Sequence, residues 1–253
     1  MKRKSNLREV IRMLIVKNKA DVAELYLSGD IIDDADGGIL ANINGGDTTG
    51  YEFPAKLKAQ LDAIEEDKPI EMHINSVGGS VFAGVALANM ISRHKGKTTC
   101  IVDGLAASIA TQIFFSADVC KMPSNCYLML HRPFTATQGN AEELRKAADV
   151  LDTLQAGLET TYQRKAREGV TSEEIHAMVN AETWLTGEIA ADKFQIKLLN
   201  PVKTLNAAGN VAKLKALGIE KIPLALNFLE EPSDESAARK KIKIMMELTR
   251  GLM

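Results

Sequence analysis

Between Glu24 and Gly29 apolar and polar residues alternate with a period of two, and the run stops on glycine, the pattern of a first β-strand. Ile70-Glu71-Met72-His73-Ile74, entered through Pro69, repeats that alternation. Residues 53–66 change period, with Leu57, Leu61 and Ile64 recurring at helical spacing. Residues 30–50, in between, are rich in Asp and Gly with little periodicity and read as a long loop or small hairpin. Then the order strand, turn, helix repeats. Residues 75–80 form a glycine-rich turn and 81–91 an apolar helix of small residues. Residues 98–103 form the next strand, Gly104 its turn, and 106–116 the next helix. Two short strands are expected at 119–122 and 127–130.

Over residues 141–167, Leu144, Ala148, Leu151, Leu154, Leu158 and Tyr162 mark one face of a long helix. Residues 171–179 predict a short helix opened by Thr171 or Ser172, with Glu174 placed for a capping box, and Thr186 caps another at 187–194. The fold class is therefore α/β, with helices packed on a sheet. Three parts are expected: an arm at 1–20 alternating basic and aliphatic residues, a main domain at 21–200, and an extension at 201–253. The extension has a polar hinge at 230–235 and a basic amphipathic segment at 237–252 carrying Ile242, Met245, Met246 and Leu248. That segment reads as a solvated tail or as a segment that binds a partner protein.

Composition narrows the class. The 253 residues are 45% hydrophobic and 25% charged, a globular balance that excludes disorder and collagen-like repeats. Aromatics are only 5%, so the core is expected to be aliphatic and alanine-rich. Lys+Arg 31 against Asp+Glu 33 gives a net charge of −2 and no sign of a nucleic-acid binder. Cys100, Cys120 and Cys126 form neither an even set nor a CxxC pair, which argues against a disulfide framework or zinc site and for a reducing, cytoplasmic setting. No apolar run approaches the roughly 18 residues of a membrane span. The basic start, Met1-Lys2-Arg3-Lys4, is followed by a continuous apolar stretch only at 13–16, and no signal peptide is expected.

Two turns and one histidine carry the candidate chemistry. In Gly104-Leu105-Ala106-Ala107-Ser108-Ile109-Ala110 a serine stands at the first turn of a small-residue helix, where unpaired N–H groups and the helix dipole suit a developing oxyanion. The same residues would also permit close helix packing. In Asn75-Ser76-Val77-Gly78-Gly79-Ser80 two glycines can present N–H groups to a substrate carbonyl or an extended peptide, and the lysine of a phosphate-binding loop is missing. His94 suits a helix C-terminus, His176 a solvated helix, and His73 the polar side of its strand. His131 ends an apolar strand before Arg132-Pro133, a place for a base or for a satisfied core imidazole.

In combination these motifs resemble the ClpP family of self-compartmentalised serine peptidases, on the ClpP/crotonase fold. The resemblance covers residues 25–199. Residues 75–80 are close to the family's Asn-Ser-Pro-Gly-Gly-Ser, 104–110 to its Gly-x-Ala-Ala-Ser, and 128–133 to its Met-x-His-x-Pro. Val77 replaces the usual proline. Where the family has an Asp two residues before an aromatic, this chain has Glu182-Thr183-Trp184-Leu185-Thr186, so the acid position holds Glu182. Asp192 is the competing acid, and a Ser–His dyad is the other option. The Asp/Gly-rich loop and the C-terminal extension look more like phage and prophage head-maturation proteases; a divergent bacterial ClpP paralogue is the alternative.

The resemblance implies a repeated β-β-α superhelix with a long protruding helix at 141–167 that joins stacked rings. It implies peptide hydrolysis through an acyl-enzyme, with Ser108 as nucleophile, His131 as base and Glu182 orienting it. Gly78 and Ile109 would supply the oxyanion hole, and Gly79, Ser80 and Val81 would pair with the substrate backbone. No metal or organic cofactor is required. The implied partners are a polypeptide substrate, further copies in a homo-oligomeric ring, and either a AAA+ unfoldase or phage capsid, scaffold or portal proteins, with no nucleic acid and no membrane. A crotonase-type acyl-CoA enzyme and an inactive assembly subunit are the competing readings.

Overall fold

The computed structural model describes residues 18–19 and 21–201. The alternation along the strands becomes a sheet with one buried face. In the order β1-β2-β4-β5-β6-β9 it runs through Asn18–Lys19 (β1), Val22–Ile31 (β2), Ile70–Gly79 (β4), Thr98–Ala107 (β5), Val119–Pro123 (β6) and Ile196–Leu199 (β9). All these pairings are parallel except β1 with β2. Leu25, Leu27, Met72, Ile74, Cys100 and Val102 are buried on one face, while Tyr26, Glu71, His73, Asp103 and Lys121 occupy the other. The helices Val81–Ser92 (α3) and Ala110–Ser116 (α4) pack Leu87, Ile91, Ile113 and Phe114 into the core.

The sheet branches where the chemistry is expected. The first half of β5 pairs with β6, but Leu105, Ala106 and Ala107 pair instead with Tyr127, Leu128 and Met129 of β7 (Tyr127–Leu130). Strand β7 then pairs antiparallel with β8 (Thr183–Thr186). Three further helices follow, Ala141–Lys165 (α5), Ser172–Asn180 (α6) and Gly187–Lys193 (α7). Asn140 opens α5 with a full capping box, Thr171 caps α6 and Thr186 caps α7. The N-terminal half of α5 is largely exposed, and burial begins at Gln155. Its C-terminal half is held by Tyr162, whose ring centroid lies 5.9 Å from that of Phe115 and 6.4 Å from that of Phe194. Among the described residues no helix is long and apolar enough to cross a membrane.

The main departure from the sequence reading lies in residues 30–50. The expected loop or hairpin is a helix, Asp34–Ile43 (α1), followed by β3 (Tyr51–Glu52) parallel to β2 and then by α2 (Pro54–Leu61). Tertiary contacts override the glycines' weak propensity: Leu40 is buried, Gly37 sits against the Phe53 ring, and Asp34 Oδ1 accepts the Ala55 N–H at 2.7 Å. Strand ends also move. Strand β4 runs on through the expected turn to Gly79, and β5 continues to Ala107, so α4 begins four residues later than expected. At the N-terminus, Asn18 and Lys19 pair with β2 rather than continuing the arm. The rest of the arm and the extension beyond residue 201 lie outside the described residues.

Candidate active site

Ser108 occupies the turn between β5 and α4 rather than the helix itself. Its φ is +55°, a left-handed conformation uncommon for a residue with a Cβ. A serine on such a tight strand-to-helix turn is pushed out of the surrounding backbone. Three bonds hold the turn: Ser108 N–H donates to the Met129 carbonyl at 2.9 Å, and the Ser108 carbonyl accepts from Thr111 N–H at 3.0 Å and from Thr111 Oγ1 at 2.6 Å.

His131 directly follows β7, the strand that receives the Ser108 N–H. Its Nε2 lies 2.6 Å from Ser108 Oγ. With the ring hydrogen on Nδ1, the serine hydroxyl donates to Nε2, the arrangement of a nucleophile and its base. Burial pushes the His131 pKa down to about 4, so the imidazole is neutral at pH 7 and able to accept a proton.

Glu182 reaches this place through the β7·β8 ladder. The ladder ends at the Leu130–Thr183 pair, so His131 and Glu182 each flank its last rung. The two residues line one cleft. Glu182 also has φ +55°, and among the described residues it and Ser108 are the two non-glycine residues with positive φ. Such conformations concentrate at functional sites, where surrounding structure holds them. Asp192, the competing acid, is on the exposed side of α7 and does not line this cleft.

The glycine pair approaches from β4. Gly78 has φ +94° and Gly79 φ +146°. A Cβ on Gly78 would meet the Ala107 carbonyl oxygen and Ser108 Cβ at 2.8 Å and Ile109 N at 3.1 Å, so the first glycine lies directly against the serine turn. Its N–H donates to Ser76 Oγ at 3.1 Å, and Ser76 Oγ–H donates to the Gly29 carbonyl at 2.6 Å. Gly79 is paired with Ile31, Ser80 N–H donates to the Ile31 carbonyl, and Val81 is already helical. The Ser80 side chain caps α3 and donates to Asp33 Oδ1 at 2.9 Å.

Other candidates resolve differently. His94 Nε2 meets the Lys68 carbonyl at 2.7 Å, and His176 pairs with Glu159 at 2.9 Å. His73 pairs with Asp103, a contact that the alternation of its strand does not reveal. All three cysteines are buried, and burial pushes the Cys120 thiol up to about 11 and the Cys126 thiol up to about 12, so neither supplies a thiolate at neutral pH. Among the described residues no His, Cys, Asp and Glu side chains are grouped to hold a metal ion. The sequence reading also missed Thr111, three residues beyond Ser108, a spacing at which a hydroxyl can bond back to a turn carbonyl.

Comparison with known proteins gives the same region. The Clp protease family model matches residues 45–199. The chain is 32% identical over 130 residues to the ATP-dependent Clp protease proteolytic subunit of Streptococcus gordonii, and 33% identical over 132 residues to those of Streptococcus pyogenes serotypes M5 and M1. Each match covers 51% of this chain and 66% of the relative, just under two thirds of its length. With the family match spanning more than half of its residues, from the glycine-rich segment before β3 to the end of β9, the chain belongs to the Clp protease family.

Proposed function

We propose that the protein is a serine endopeptidase acting through an acyl-enzyme, with Ser108, His131 and Glu182 as its triad. The observation that carries this reading is the 2.6 Å contact between His131 Nε2 and Ser108 Oγ on a left-handed turn. Ser108 Oγ attacks the scissile carbonyl carbon as its proton passes to His131 Nε2. Collapse of the tetrahedral intermediate breaks the C–N bond, and the imidazolium returns that proton to the leaving amine. Water, deprotonated by the same imidazole, then cleaves the ester. Glu182 holds the Nδ1–H tautomer and balances the imidazolium. The oxyanion falls to the Ile109 N–H at the start of α4, with the Gly78 N–H shared between it and Ser76 Oγ. Gly79, Ser80 and Val81 border the substrate's path.

The family relationship supports a self-compartmentalised ring of identical subunits, with α5 as the joining element. Maturation of phage capsid or scaffold proteins is the role the extra segment at 30–50 favours; partnership with an unfoldase is the alternative. The test is a fluorophosphonate probe followed by proteolysis assays. Covalent labelling at Ser108, together with loss of casein or coat-protein cleavage in Ser108→Ala while the assembly stays intact, is the expected result. Unchanged cleavage in Ser108→Ala overturns the assignment.

A further inference from the structure

The cleft beside His131 has a chemistry of its own. We infer that it takes a long cationic side chain, lysine or arginine, from the residue preceding the cleaved bond; this rests on the peptidase reading above. The cleft has a volume of about 450 Å³ and lies between the exposed half of α5, the end of α6 and the chain after β7. A volume of that order is in the range of ligand-binding clefts. Its apolar lining, including Leu151, Val179 and Phe134, suits a methylene stem, whose packing does not require its charged tip to be buried.

The wall formed by α5 carries acceptors. Asp152 and Gln155, three residues apart, lie on one helical face. Gln155 is buried, and its Nε2 lies 2.7 Å from Glu159 Oε1 and 3.0 Å from Asn180 Oδ1. A carboxylate only accepts, so the nitrogen must face Glu159. Both amide hydrogens are then committed, leaving the amide oxygen of Gln155 as an acceptor. Asp152 is exposed at the rim. Arg132 is the one lysine or arginine in the lining, against the carboxylates of Asp152 and Glu182. By formal charge, Asp152 and Glu182 against Arg132 leave the lining one negative charge in excess. A leucine would cover Gln155 without offering it a hydrogen bond, and a glutamate would bring like charge to Asp152 and Glu182. Lysine or arginine lays its stem on the apolar wall and donates to Asp152 and Gln155.

The test uses the full chain and three fluorogenic peptides differing only in Lys, Leu or Glu before the reporter amide. The expected order of kcat/KM is Lys, Leu, Glu, with Lys ahead of Leu by about tenfold. Asp152→Asn lowers the Lys-to-Leu ratio by about fivefold, and Asp152→Lys brings Glu above Lys. If the wild-type chain is labelled at Ser108 and cleaves but prefers Leu or Glu, or if Asp152→Asn leaves the ratio unmoved, the pocket assignment is overturned and the peptidase reading stands. Absence of both labelling and cleavage of all three peptides overturns the peptidase reading and the pocket with it.

Discussion

The hydroxyl of Tyr162, on α5, lies 2.7 Å from Thr111 Oγ1, and the Thr111 hydroxyl in turn donates to the carbonyl of Ser108 at 2.6 Å. Because Thr111 spends its one hydrogen on that carbonyl, Tyr162 must be the donor to Thr111. A buried relay thus ties the long helix to the turn carrying the candidate nucleophile.

Tyr162→Phe removes the far end of this relay without emptying the aromatic cluster. A loss of about 1 kcal/mol in stability is expected, the net worth of one buried hydrogen bond. Tyr162 touches no reacting atom and acts by positioning, so kcat should fall with KM little changed. Urea unfolding and peptide kinetics check both; a rise in KM with unchanged kcat would place Tyr162 in substrate binding instead.

Glu182→Gln keeps the side chain's size and removes its charge. Loss of an orienting carboxylate in a triad lowers kcat by roughly 10²–10⁴, and that range is expected here, with Glu182→Asp recovering part of it. Asp192→Asn, on the exposed side of α7, should leave the rate within twofold. A silent Glu182→Gln variant would leave a Ser–His dyad.

Gly78→Ala places a Cβ 2.8 Å from the Ala107 carbonyl oxygen and Ser108 Cβ at φ +94°. The backbone conformation alone costs roughly 1–3 kcal/mol, and relief of the contact has to move the serine turn. Fluorophosphonate labelling should therefore slow by more than the melting temperature alone explains.

The parts of this site that could be read from the sequence are those whose signal is local. Strands β2 and β4 alternate because one face of the sheet is open, so Tyr26, Glu71 and His73 interrupt the apolar positions. Ser108 and His131 each sit at the end of a strand beside a turn, and short motifs mark such places. Helix α1 was hidden because Gly37 and Gly38 depress helix propensity, while its support comes from Phe53 and Ala55, some 20 residues away. The Tyr162–Thr111 bond spans 51 residues and leaves no periodicity to read. Strand β4 outran its expected end because Ser76, Val77 and Gly78 are all buried, which erases the two-residue alternation.

Two histidines pull stability in opposite directions with pH. His131 is held below the ordinary 6.5, at about 4, by burial. The unfolded chain therefore binds a proton in that interval that the folded chain refuses, and stability falls as pH drops from 6.5 toward 4. On the proposed mechanism the same protonation would set the acid limb of kcat/KM in the free enzyme, expected toward pH 4 rather than at the ordinary 6.5. His73 is the reverse case. Its Nδ1 lies 2.8 Å from Asp103 Oδ1, its Nε2 lies 3.7 Å from Glu71 Oε1, and its ring stacks on Tyr26 at 4.9 Å. The hydrogen bond to Asp103, together with the charges of Asp103, Glu71 and Glu24, raises its pKa above the ordinary 6.5 against the opposing effect of burial. That contribution is complete below 6.5 and is lost as pH rises through the folded value. Urea midpoints measured from pH 4 to pH 9 should therefore pass through a maximum. Asp103→Asn should flatten the alkaline limb and leave the acid limb in place, with the His73 ring resonance titrating at lower pH by NMR. An alkaline limb unchanged in Asp103→Asn would assign that slope to other groups.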